Sequence, residues 1–302
     1  MAETHPNEEF TTLPNGIEIC YETFGDTARP AVLLVMGLGG PMGWWTNDFC
    51  TQLADRGFFV IRYDNRDTGR STKLREHRVT KQGLVKAYLG RGKAPYGLSD
   101  LAEDAFGLLD HLGIERAHLA GVSMGGMIIQ TMAIARPERV LSLTSIMSTT
   151  GKRSVGWTHP KLFPTMLGAA GRTRDAYIEQ ALRSALIIGS PGFPTDDEIA
   201  RARAMETYDR GWTASGVARH MMAVLTQPDR TRELTKLDIP TTVVHGLRDP
   251  LVNPSGGRAT AAAIRGAEFV AIADMGHDIP VQLYGTFVDA IARTAGRAAT
   301  RG

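Results

Sequence analysis

Short, solid apolar runs recur along the chain, separated by stretches in which apolar residues return every three or four positions. The runs at 31–36, 58–63, 117–122, 140–146, 241–245 and 268–273 read as strands. Where such a run is rich in Val and Leu and does not alternate, as at 31–36, the strand is covered on both faces. Residues 17–24 do alternate, and the turn Pro14-Asn15-Gly16 precedes them, as at the start of a hairpin or an edge strand. Helical spacing fills the gaps. Leu101, Ala105, Leu108, Leu109 and Leu112 share one face of a helix over 98–112, with Ser99 read as its N-terminal cap. Further helices are expected over 47–55, 127–135 and 281–295. Strands alternating with helices through short connections predict an α/β fold, a mostly parallel sheet with helices on both faces.

Two stretches break the rhythm. Between Ser71 and Tyr96 stand seven basic residues, Lys73, Arg75, Arg78, Lys81, Lys86, Arg91 and Lys93, against one acid, Glu76. From about residue 149 to 235 the pattern is helical, with no run that reads as a buried strand. The same stretch carries Trp157, Phe163, Met166, Phe193, Met205, Trp212, Met221 and Met222. It reads as a helical cap inserted between strands, so that 1–148 and 236–302 form one core and 149–235 the cap. Those aromatic and methionine side chains suit an adaptable apolar pocket, although most of them are expected to form the cap's own core.

Composition narrows the class without touching the chemistry. With 43% hydrophobic and 22% charged residues among 302, the chain has enough apolar side chain to fold and no run long enough for a membrane span. A net charge of +2 gives no reason to expect nucleic-acid binding. Cys20 and Cys50 lack both a disulfide framework and zinc spacing, and the N-terminal MAETHPNEEF has no apolar core, so a cytoplasmic protein is expected. For the basic stretch a solvated loop or lid helix is preferred over association with a membrane surface. The oligomeric state is not legible.

The sharpest chemical signal is Gly121-Val122-Ser123-Met124-Gly125, which satisfies G-x-S-x-G between a buried strand and a helix. A serine held on so sharp a turn needs small neighbours, and the helix N-terminus behind it favours developing negative charge. A serine hydroxyl is a poor nucleophile without a base, and in this arrangement the partners follow in the order Ser, acid, His. Of eight histidines, only His277, in Met275-Gly276-His277-Asp278, comes after the last strand at its C-terminal end. His245 would precede the acid and reads as a packed strand residue. Asp249, in Leu247-Arg248-Asp249-Pro250, directly follows the penultimate strand and is taken as the acid. Asp238 lies on the wrong side of that strand, and Asp274 and Asp278 sit too close to the histidine in sequence to reach its far nitrogen easily.

An oxyanion hole needs two backbone N–H groups. Met124, next after the serine, should supply one, and Leu38, in Gly37-Leu38-Gly39-Gly40, the other. The glycine spacing there breaks the dinucleotide fingerprint, and Trp44-Trp45 would crowd a pyrophosphate. Neither a cofactor nor a metal is expected.

With these residues in hand, the chain resembles the α/β-hydrolase superfamily over nearly its whole length. Val35-Met36-Gly37, the segment Arg62-Tyr63-Asp64-Asn65-Arg66-Asp67-Thr68-Gly69-Arg70-Ser71, and Pro95-Tyr96-Gly97-Leu98 make it similar to the actinobacterial esterases typified by aclacinomycin methylesterase and to related lipases. The resemblance implies a triad of Ser123, Asp249 and His277, an oxyanion pair of Leu38 and Met124, and a helical cap. The basic stretch from Lys73 to Lys93 departs from the pattern as an insertion, expected near the pocket rim. The reading that follows is a serine carboxylic-ester hydrolase acting on a small-molecule, apolar ester. The same triad would also serve perhydrolysis, lactone opening or C–C hydrolysis, and a hydrolase-fold ligand receptor is the non-enzymatic alternative.

Overall fold

A computed structural model describes residues 7–162 and 173–300; Phe163 and Met166 of the cap, and His5, lie outside them. Eight strands form one sheet: β1 (Glu9–Thr12), β2 (Glu18–Phe24), β3 (Ala31–Val35), β4 (Phe59–Tyr63), β5 (Ala117–Val122), β6 (Val140–Ile146), β7 (Thr241–Gly246) and β8 (Glu268–Ile272). Their order is β1-β2-β4-β3-β5-β6-β7-β8. The pairs β1·β2 and β2·β4 are antiparallel and every other pair is parallel, so the turn at Pro14-Asn15-Gly16 opens a hairpin at one edge.

The solid apolar runs are solid because both faces are covered. In β3, Ala31, Leu33 and Val35 face α3 (Leu98–His111) and α4 (Met124–Ala135), while Val32 and Leu34 face α1 (Asn47–Asp55). Replacing a residue such as Leu33 by alanine would cost about 2–5 kcal/mol. The C-terminal helix begins with a 3-10 turn at Val281–Leu283 and joins α1 on that second face, through Phe287, Val288 and Ile291.

The N-terminal cap of α3 differs from expectation. The cap of α3 is Gly97, whose N–H donates to the Asp100 carboxylate at 2.8 Å, and Ser99 lies inside the first turn. A carboxylate reaching back satisfies an orphan amide at the helix start, which the hydroxyl spacing did not anticipate.

Within the basic stretch a short helix, α2 (Lys81–Tyr88), forms. Between β6 and β7 come α5 (Arg174–Ile188), α6 (Asp197–Asp209), α7 (Ala214–Thr226) and α8 (Thr231–Leu234), and α2 packs against α7. The remaining α-helices of the described residues are α9 (Ser255–Ala263) and α10 (Tyr284–Ala299). Of the described cap residues expected to pack inward, Met222 is buried, whereas Trp157 and Met205 are exposed. Trp212 stacks with Tyr177 and Tyr208 in a small aromatic cluster. No helix of the described residues is long and apolar enough to cross a membrane. Cys20 and Cys50 are buried free thiols.

Candidate active site

Ser123 stands at the junction of β5 and α4 with φ 55° and ψ −118°, a conformation that costs a non-glycine residue about 1–3 kcal/mol. Its surroundings hold it there. Its N–H donates to the Ile146 carbonyl (2.9 Å), and its own carbonyl accepts from Ser148 Oγ (2.8 Å). The glycines of the motif permit the turn by contact: a Cβ on Gly121 would meet the Gly125 carbonyl at 2.4 Å, and one on Gly125 the Val35 carbonyl at 2.0 Å. No other residue fits at either place.

His277 and Asp249 converge on this serine from the loops after β8 and β7. His277 Nε2 lies 3.0 Å from Ser123 Oγ, and Nδ1 lies 2.6 Å from Asp249 Oδ2. A carboxylate only accepts, so Nδ1 carries the proton and Nε2 is left to accept one from the serine. The Asp249 carboxylate is buried and fully engaged, its Oδ1 accepting from the Leu251 and Val252 amides, each at 2.8 Å. Burial pushes its pKa up, but the charge of His277 and hydrogen bonds from His245 and His277 outweigh it and hold the group below the ordinary carboxylate value.

The histidine loop has its own anchors. The His277 amide donates to Ile188 O (2.7 Å), and Gly276 N–H donates to Ser190 Oγ (2.9 Å), whose hydroxyl donates to Asp278. Burial raises the pKa of Asp278. Of the acids passed over, Asp278 is thus bound to Ser190 and Asp274 pairs with Arg248 at the surface. His245 is buried in β7 and donates from Nε2 to the Val252 carbonyl (2.9 Å).

The glycine loop after β3 passes over Ser123. A Cβ on Gly37 would stand 3.8 Å from Ser123 Oγ. Met124 opens α4, so its N–H has no intrahelical acceptor, and Leu38 follows Gly37 in the loop. Three residues that the sequence reading left without a role clamp this loop. Asn65 Nδ2 donates to Met36 O (3.1 Å), Asp64 Oδ1 accepts from the Met42 amide (2.7 Å), and His220 Nδ1 accepts from the Gly39 amide (3.2 Å). Asp64 and Asn65 lie in the segment that carried the family resemblance, which was their only signal. His220 gave none, because its partners are 154 and 181 positions away.

The basic stretch contributes no side chain to this cluster in any described contact. Lys73 is turned inward, its ammonium donating to the Thr68, Gly69 and Ser71 carbonyls, and burial lowers its pKa to about 8. A lysine so placed is a structural clamp. Among the described residues no group of three His, Cys, Asp or Glu side chains could hold a metal.

Comparison with known proteins gives a consistent picture. The model of the α/β-hydrolase fold family matches residues 30–282. The chain is 29% identical to rhodomycin D methylesterase DnrP of Streptomyces peucetius, with 97% of each chain covered. It is 30% identical to the DauP enzyme of the same name from Streptomyces sp. strain C5, covering 92% of this chain and 95% of that one. Among solved structures, the enol-lactonase of Burkholderia xenovorans superposes with a TM-score of 0.71 at 23% identity, over 97% of this chain and all of that one.

Proposed function

Because the chain belongs to the α/β-hydrolase fold family, we propose that Ser123, His277 and Asp249 form the catalytic triad of a serine carboxylic-ester hydrolase. The observation that carries this reading is the unbroken line from Asp249 Oδ2 through His277 to Ser123 Oγ, at 2.6 and 3.0 Å. Ser123 Oγ attacks the ester carbonyl carbon while His277 Nε2 takes its proton. The carbonyl π electrons move to oxygen, where the Leu38 and Met124 amides stabilise the negative charge. Collapse of this intermediate breaks the bond to the alcohol oxygen, which receives the proton from His277. Water then attacks the acyl-enzyme by the same route, releasing the acid and restoring Ser123. Asp249 holds the imidazole in the required tautomer and offsets its transient charge.

Residues 149–235 serve as the cap in this reading, covering a core made of 1–148 and 236–302. The rhodomycin D methylesterase relatives, similar over nearly their full length, favour a methyl ester as substrate. A panel of p-nitrophenyl esters of increasing chain length, a triglyceride emulsion and a polycyclic methyl ester tests this. Ser123-dependent turnover with preference for the polycyclic methyl ester is the expected result. Absence of turnover on every ester, with stoichiometric ligand binding, would overturn it in favour of a receptor.

A further inference from the structure

His220, on α7, is buried and has a definite hydrogen-bond role on each side of its ring. Nε2 lies 2.7 Å from the Arg66 backbone carbonyl. A carbonyl only accepts, so the proton sits on Nε2. Nδ1 therefore presents a lone pair, and the Gly39 N–H donates to it. Burial keeps the ring neutral, lowering its pKa to about 4 against the opposing pull of the Arg66 carbonyl and the Asp67 carboxylate. The same helix presses on Gly39 directly: a Cβ there would stand 3.0 Å from Val217 Cγ2, and the residue's φ of +68° suits glycine alone.

We propose that His220 is a positioning residue for the hydrolase, acting through the Gly39 amide to hold the preceding Leu38 N–H aimed at the oxyanion on Ser123. This rests on the assignment of Leu38 as an oxyanion donor. A donor of that kind works only if it is oriented before charge develops, because reorienting it during reaction would consume the stabilisation it offers. In the loop from Gly37 to Gly40 only Leu38 has a side chain, which packs against the core, and the Gly40 N–H donates to the Gly37 carbonyl (3.2 Å). His220 adds the hydrogen bond to the Gly39 amide itself, and it does so from the helical segment between β6 and β7. The Arg66 bond fixes the tautomer, and Arg219, the preceding residue on α7, grips Asp67 through both carboxylate oxygens, at 2.6 and 2.7 Å. Seating of α7 on the 64–71 segment thus becomes a condition for an assembled oxyanion hole.

Two substitutions separate the halves of the ring. Asparagine places an amide oxygen where Nδ1 stands and retains an acceptor for Gly39; glutamine places a donor where Nε2 stands and retains only the Arg66 bond. His220→Gln should lower kcat on p-nitrophenyl butyrate by about 10- to 100-fold with KM within about twofold, and weaken a trifluoromethyl-ketone inhibitor in proportion. His220→Asn should recover kcat to within about fivefold of the parent, since the acceptor is restored. In ¹⁵N-labelled protein, exchange of the Gly39 amide should accelerate at least about tenfold in His220→Gln and stay slow in His220→Asn. Equal loss of kcat in both variants, a loss confined to KM, or unchanged Gly39 exchange in His220→Gln would overturn the proposal. If a variant fails to fold, the parent decides: a long-range ¹H–¹⁵N spectrum should report the Nε2–H tautomer of His220 at neutral pH, and an Nδ1–H or charged ring would refute it. If the parent hydrolyses no ester, the esterase reading falls, while the exchange and tautomer measurements still decide whether His220 holds the loop.

Discussion

Ser123 sits in a backbone conformation that serine alone would abandon, and it stays because β5, β6 and the glycines around it leave no other path. Removing its hydroxyl by Ser123→Ala should lower ester turnover by about 10⁶-fold while leaving the thermal midpoint within a few degrees. Asp249→Asn tests the carboxylate more finely. An amide in its place presents a donor to Nδ1 and favours the wrong imidazole tautomer, so kcat should fall by about 10⁴-fold with KM little changed. A loss below tenfold in steady-state assays would remove Asp249 from the proposed triad. These three positions could be picked out in the sequence because each lies at the C-terminal end of a recognisable strand, where chain order assigns the proposed nucleophile, acid and base. The clamping roles of His220 and Asn65 were not readable. Their partners are backbone groups of distant loops, and nothing local marks a side chain whose task is to hold a peptide in place.

Helix α7 shows how a single element joins the 149–235 segment to the rest. Its N-terminus is capped by Thr213, whose hydroxyl accepts from the Gly216 amide at 3.1 Å, and its inner face carries Arg219 and His220. Arg219 also donates to the His77 carbonyl, and Asp67 accepts in addition from Tyr96 (2.7 Å) and the Leu74 amide (2.9 Å). Burial would raise the pKa of Asp67, yet hydrogen bonds from Arg219, Tyr96 and Leu74 hold it below the ordinary value. Breaking such a buried pair strands a charge. Arg219→Met should cost about 3–5 kcal/mol in urea unfolding, and adding Asp67→Asn should recover part of the loss. A cost under 1 kcal/mol would mean that α7 is seated by its apolar contacts instead. Tyr96 and Asp67 belong to motifs that the sequence singled out, but only as marks of kinship. Their physical task, anchoring α7, emerges once the chain is folded.

Across the whole molecule, His118 and His220 give acid sensitivity a direction. Burial lowers each from the ordinary 6.5 to about 4, with the nearby charge of Arg116 adding to the effect at His118. The unfolded chain binds these protons near pH 6.5 and the folded chain only near 4. Between those values the unfolded state holds more protons, so stability is full above about pH 6.5 and is lost as pH falls toward 4. Each histidine contributes about 3 kcal/mol to that loss at most. Asp67 and Asp249, both held below the carboxylate range, extend the decline to lower pH. The urea midpoint should therefore fall steeply between pH 6.5 and 4.5, and His118→Gln should flatten the slope; a flat profile in the parent would contradict neutral burial of both rings.

Hydrophobic periodicity marked β2 to β8, the helices α1, α3, α4 and α10 and the interrupted chain order, because burial leaves a pattern in neighbouring residues that needs no distant partner; β1 and α9 carried no such pattern. Motif position likewise singled out Ser123, Asp249 and His277, since a sheet built in that order brings the ends of β5, β7 and β8 to one edge. The cap of α3 went to Gly97 because a carboxylate three residues on outcompeted the nearby hydroxyl. Lys73 turned inward because three carbonyls converge on its ammonium. Only the tertiary structure decided which side chains clamp the loop above Ser123. That information lies in pairings between residues up to 181 positions apart, and hydrogen bonds of that span leave no periodicity to read.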